Sequence, residues 1–151
     1  MIVLDYRLEP AELRKLDGRD LGALTTTQLD YYLFCGSIIF RIEGVTFDAI
    51  WGWVPVMDFA TQLFEISCDV KSGETRRLEF TESDAALSFS RLGEQVAVHA
   101  NYSTGAARVP VQELKIAAKK FLSRVVTDFA TKWPELSANP AFRERMNMVR
   151  N

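Results

Sequence analysis

The side chains able to do chemistry are few and poorly placed for it. Nucleophilic catalysis needs a Ser or Cys within hydrogen-bond reach of a base. The only histidine is His99. It sits in Gln95-Val-Ala-Val-His-Ala-Asn101, on the parity opposite Val96 and Val98. That places it on the outer face of a strand. No Gly-x-Ser-x-Gly or cysteine–histidine signature accompanies it. Cys35 and Cys68 form no CxxC pair and are expected to be small core residues. With one His and two Cys far apart in the chain, zinc, which needs three or four ligands together, is not expected, and no metal site is expected. Glu65 and Asp69, one helical turn apart, are the weak exception as an oxygen-ligand pair. Glycine-rich phosphate loops are absent, which removes the usual routes to nucleotide binding, and no cofactor is expected. Catalysis is therefore not expected.

Charge is the more informative chemistry. Residues 1–107 carry 9 basic and 16 acidic side chains, and residues 108–151 carry 9 and 4. Between Glu43 and Asp84 there are 9 acids against 3 bases. Such a dipolar chain steers charged partners. The basic end, with Lys115, Lys119, Lys120, Arg124, Arg143, Arg145 and Arg150, shows no aromatic-interleaved basic motif, and the pI is near 5.5. Nucleic acid is not the expected partner. Trp51-Gly52-Trp53 is a candidate stacking site, but hairpin register makes both indoles part of the core or a cap on its end. An exposed one becomes a binding anchor.

The elements that must position these groups follow from periodicity. Ile2, Leu4, Tyr6 and Leu8 alternate as a strand. Pro10 to Leu16 is a short helix, and 19–30 has no clear pattern. A two-residue turn at Glu43-Gly44 pairs Ile42 with Val45, Phe40 with Phe47 and Ile38 with Ala49. The same register sets Gly36 against Trp51 and Phe34 against Trp53, with Gly36 leaving room for the indole. Phe40, Phe47 and Trp51 should then be buried on the helix side. A helix over 55–69 has Val56, Phe59, Ala60, Leu63, Phe64, Ser67 and Val70 on one side. Asp58, Glu65 and Asp69 lie on the other. Strands follow, with inward residues Leu78 and Phe80, then Leu87 and Phe89, then Val96, Val98, Ala100 and Tyr102. They are separated by turns at Glu82-Ser83-Asp84 and Gly93-Glu94, with a short edge at 106–109. A long helix over 110–133 follows, with Ile116 as its apolar outlier. The last helix begins at Asn139-Pro140 and is placed to cover Ile116.

This order predicts one α+β domain over residues 1–151. Its expected form is a two-layer sandwich: an antiparallel sheet of about five to seven strands, with two main helices on one face. The 151 residues at 48% hydrophobic are ample for one core and exclude disordered, collagen-like and disulfide-scaffold classes. The N-terminus lacks the pattern of a signal peptide and no window is long enough to span a membrane, so the expected compartment is the cytoplasm.

Four segments carry a resemblance: Gly36–Gly44, Trp53–Ala60, the Leu87–Val98 hairpin and the Val111–Phe129 helix. In these the chain resembles the small α+β immunity proteins of bacterial polymorphic-toxin and contact-dependent inhibition systems. The resemblance implies a non-catalytic protein that binds and neutralises a cognate toxin domain, often a nuclease. It transfers no functional residue. Nuclease toxins have cationic clefts, so an outward acidic face of Asp58, Glu65 and Asp69, extended by Asp48, would complement one. The alternatives are a small-molecule-binding or enzymatic α+β domain with its site between sheet and helices, and an oligomeric interaction module.

Overall fold

A computed structural model describes residues 1–81 and 83–150. The expected Glu82-Ser83-Asp84 turn includes Glu82, which lies outside the described residues. Strand β1 (Ile2–Leu8) pairs antiparallel with β2 (Cys35–Ile42), which also pairs with β3 (Val45–Thr46) and β4 (Ala49–Pro55). Helix α1 (Pro10–Leu13) lies in the β1–β2 connection. A second antiparallel sheet runs β5 (Thr75–Glu79), β6 (Ala86–Leu92), β7 (Gln95–Ala100) and β8 (Ala106–Pro110). The class is α+β, as the pattern predicts, but there are two four-stranded sheets rather than one. The chain leaves β4 at Pro55 directly into α2 (Val56–Asp69), and no strand of the first sheet pairs with one of the second. Hydrogen bonds from the β7–β8 connection reach the first sheet instead: Tyr102 Oη donates to the Phe47 carbonyl at 2.7 Å and Ser103 Oγ to that of Thr46 at 3.3 Å.

Helix α2 packs on α3 (Val111–Lys132) and against β2, β4 and β5, while α3 lies against β1 and β8. Both helices thus meet both sheets, and one apolar core joins them, including Phe40, Phe47, Phe59, Phe89 and Phe129. β1 is an edge strand, a surface open to unwanted pairing. Arg124 of α3 blunts it, with Nη2 donating to the Leu4 carbonyl at 3.3 Å and to Asp5 at 2.8 Å.

The hairpin keeps the expected register near its turn and loses it further out. Ile42 faces Val45 and Ile38 faces Ala49. Glu43 and Gly44 both have positive φ, 49° and 82°, the pattern of a type I′ turn. Beyond Ala49 the register slips: Gly36 faces Val54 rather than Trp51, and Cys35 faces Pro55. Gly52 turns left-handed at φ 78°, and its N–H donates to Ser37 Oγ at 3.1 Å. The bulge sends Val54 into the core and leaves Trp51 half-buried and Trp53 40% exposed. Gly36 is small for another reason than room for an indole. A Cβ there would lie 2.0 Å from the Arg7 carbonyl oxygen of β1.

Two further expectations are corrected. Cys68 is exposed on α2, while Cys35 is buried. Ile116 remains 56% exposed: α4 (Pro140–Arg150) does not cover it. It lines an open groove of about 570 Å³ with Ile2, Leu4 and Phe121. His99 is exposed on β7, as its parity predicts.

Gly36→Ala should lower unfolding free energy by about 3 kcal/mol, the upper range of overpacking, because the obstacle is backbone and cannot rotate away. Denaturant titration measures it. A loss below about 1 kcal/mol would mean that β1 and β2 sit further apart than described.

Candidate functional site

The segment 19–30, which lacks a clear pattern, leads into the turn that builds one wall of an acidic cleft. Thr25 and Gln28 cap each other: Thr25 N–H donates to Gln28 Oε1 at 3.0 Å, and Gln28 N–H to Thr25 Oγ1 at 3.1 Å. This is a capping box, and Thr25-x-x-Gln28 was the sequence signal for it. The turn it starts is π-helical over Gln28–Tyr32, closed by Leu33 N–H to the Gln28 carbonyl at 3.0 Å. Such turns recur at functional sites. Leu29 points into the core and Asp30 is 5% exposed. Phe34 then enters β2 at φ 60°, strained for a non-glycine residue. Its ring is held on Phe129 at 4.8 Å and Trp133 at 5.0 Å between centroids.

Helix α4 supplies the opposite wall. Asn139, fully buried, caps it by accepting from Phe142 N–H at 3.0 Å. The Asn139 amide also donates to the carbonyls of Leu21 at 3.0 Å and Leu24 at 2.9 Å. The helix so anchored places Arg145 Nη2 2.6 Å from Asp30 Oδ2. Both side chains are nearly buried. Asp30 Oδ1 and Arg145 Nε have no partner among the described residues.

The floor is the N-terminal half of α2. Asp58 is buried, at 9% exposure, and does not project outward as its helical angle predicts. The wheel gave its angle correctly, but the π-helical turn covers that side of the helix. Gln62 Nε2 donates to Asp58 Oδ2 at 2.8 Å and to the Glu79 carbonyl at 3.2 Å. Thr61 is 6% exposed and its hydroxyl has no partner among the described residues. Glu65, Glu79, Phe80 and Tyr31 complete a cleft of about 520 Å³.

Electrostatics there is unusual. Burial pushes the Asp58 carboxyl up to about 7, helped by the charges of Asp30 and Glu65 and opposed by Gln62 and Arg145. Burial also raises Asp30, outweighing the Arg145 bond and charge. The Asp58 charge in turn raises the Tyr31 phenol. Strongly shifted acids in a cleft mark functional sites more often than chance.

The other expected acids lie elsewhere. Asp48 accepts from Phe40 N–H at 2.9 Å and Arg41 at 2.8 Å, bracing the hairpin. Burial opposes its charge, yet the Arg41 and Phe40 bonds hold its carboxyl below the usual range. Asp69 is exposed at the end of α2, beside Lys71, Arg76 and Arg91. Of the four, the fold brings together Asp58 and Glu65. Several bases of the C-terminal end have intramolecular partners: Arg124 on Asp5, Arg143 on the Ser137 carbonyl, and Arg145 on Asp30. No group of three or more His, Cys, Asp or Glu able to hold a metal ion occurs among the described residues, and no helix there is long and apolar enough to cross a membrane.

Comparison with protein-family models, curated proteins and solved structures found no match.

Two outcomes follow from this geometry. The folded state holds the Asp58 proton more tightly than the unfolded chain, whose aspartates titrate near pH ~4. Stability from this group is therefore full below that value, falls as pH rises toward 7, and is flat above. Asp58→Asn should remove that slope and be more stable than wild type at pH 8, by up to about 4 kcal/mol, with no gain at pH 4. Thermal unfolding across pH, with Asp30, Tyr31, Glu65, Glu79 and Arg145 left intact around it, reads the difference. Separately, Arg145→Met should cost about 3–5 kcal/mol by stranding Asp30, and adding Asp30→Leu should recover most of it. No recovery in the double variant would show that the pair is not an isolated buried unit.

Proposed function

We propose that this protein binds a basic surface on another protein, in the manner of an immunity protein that neutralises a cognate toxin domain, with a nuclease as the fitting class. One observation carries the reading: the exposed Tyr31 lines an acidic cleft, and further exposed aromatics lie on the same turn and on the adjoining β4. Tyr31 and Tyr32 are 40% and 56% exposed on the π-helical turn, which packs on β4. Trp53 of β4 stacks on Trp51 at 5.0 Å and 16°, and Trp51 meets Phe80 of the cleft edge to face. Trp and Tyr dominate binding hot spots because they desolvate a large rigid area with little entropy lost. The acids beside them supply the complement to a cationic cleft, which mainly speeds encounter and selects partners. Asp58 belongs to the interior of this surface, and Glu65 to its exposed part.

The test pairs this protein with the toxin domain encoded by the neighbouring reading frame. Trp53→Ala should raise the dissociation constant roughly 30-fold, chiefly through faster release. Reversing Glu65 and Asp69 together to Lys should slow association, more so at low salt, and weaken protection of toxin-expressing cells. Binding unchanged in both variants would place the interface elsewhere. Absence of both binding and protection in the wild type would remove the immunity reading.

A further inference from the structure

We propose that the cleft between the π-helical turn, α2 and α4 is a guanidinium-binding site, with Asp30 Oδ1, the Asp58 carboxylate and Thr61 Oγ1 as acceptors and the Tyr31 ring at its wall. Three independent features converge on this chemistry. The first is unsatisfied acceptors. Asp30 Oδ1 and Thr61 Oγ1 are buried and unpartnered among the described residues, on side chains 5% and 6% exposed that line the cleft. A buried polar atom left unpaired costs free energy, and such atoms in a native fold call for a partner. Asp30 Oδ1 accepts, and the Thr61 hydroxyl accepts as well as donates, so one donor-rich group satisfies both, while Arg145 Nε stays an unpaired donor beside them.

The second is charge. Among the described residues, Asp30, Asp58, Glu65 and Glu79 line the cleft against one cation, Arg145. Arg145 meets Asp30 through a single Nη2 bond and leaves the other carboxylate oxygen open. A second cation is favoured there.

The third is shape. The cleft is about 520 Å³, and its acids among the described residues are not gathered into a metal cluster, so a bare ion would be poorly held. The acceptors come from separate elements, the π-helical turn and two positions on α2. A planar fork with five donors spans such a spread, while a compact ammonium engages fewer of them. The Tyr31 and Phe80 rings line the same cleft, and guanidinium stacks on aromatic faces where ammonium gains less. A guanidinium can come from an arginine side chain of a partner protein or from a free small molecule. The first source rests on the partner-binding reading above, and the second does not.

The experiment is an NMR titration of the intact protein with agmatine, N-acetyl-arginine amide, N-acetyl-lysine amide and n-butylammonium at matched ionic strength. Saturable amide shifts are expected in residues 28–32, 58–65 and 79–81 with both guanidinium compounds, at millimolar concentration. The two ammonium compounds should bind about tenfold more weakly. Thr61→Val, which keeps the shape and removes the acceptor, should weaken agmatine several-fold. Glu65→Gln should do so by a similar factor, and Glu113→Gln, in the groove beside Ile116, should not. Exclusion of agmatine by the bound toxin domain assigns the site to a partner's side chain, and agmatine bound alongside that domain assigns it to a small molecule. Equal binding of ammonium and guanidinium overturns the proposal, as do shifts spread over the surface acids or insensitivity to Thr61→Val and Glu65→Gln. Trp53→Ala should leave agmatine binding intact, so a failed toxin interaction and a failed cleft remain separable.

Discussion

The candidate site depends on the ion pair between Asp30 and Arg145. It joins positions 115 residues apart, and both side chains are nearly withdrawn from water. A buried pair gains little net stability over apolar packing, because desolvation offsets most of the attraction. What it supplies is position. The π-helical turn has no sheet partner of its own, and α4 is short. Arg145 clamps the turn from one side, while Asn139 holds the preceding Leu21–Leu24 segment to the start of the same helix. Without these polar links, the wall bearing Tyr31 and Tyr32 would rest on Leu29, Leu33 and the strained Phe34 alone.

The same clamp explains why Asp58 is costly. A carboxylate in the first turn of a helix is ordinarily favoured by the helix dipole. Here the π-helical turn covers it, and burial overcomes the dipole, leaving the group near half ionisation around neutral pH. An apolar residue would pack there more cheaply. Groups that break a local rule in this way tend to lie where function is selected over stability. Thr61, one helical turn on and on the same cleft, breaks the same rule with its unpaired hydroxyl.

The strands and main helices were legible because each carries a clean period. The helix at 55–69 was read within one residue, and so was the tight turn at Glu43-Gly44. The bulge at Gly52 was not, since alternation cannot show a register slip, and Gly36 invited a wrong explanation from its small size. The split into two sheets was equally hidden, because it depends on which edges meet. The cleft was half visible. Asp58 and Glu65 stood out as one acidic face, but the cover over Asp58 comes from a segment whose only local mark is Thr25-x-x-Gln28. Arg145 stood among the bases of the C-terminal end, which were weighed only as a nucleic-acid surface. Its pairing with Asp30 is purely tertiary.

The charge imbalance along the chain takes on a different meaning once these pairings are placed. The acidic N-terminal part and basic C-terminal part do not simply present two poles. Arg124 is spent on Asp5 and the free edge of β1, and Arg145 on Asp30, so bases from the C-terminal helices neutralise the acidic part from within. Arg41 does the same locally for Asp48. Within the cleft this neutralisation stops short: among the described residues Arg145 is the one base against four acids, and it pairs with Asp30 alone of them. Its remaining negative potential is confined by low-dielectric walls, which concentrates the field on the opening. An acidic surface of this kind differs from a solvated stripe, where water and salt screen each carboxylate separately. It acts at short range on a group small enough to enter, beside aromatic side chains that add contact area for whatever carries that group.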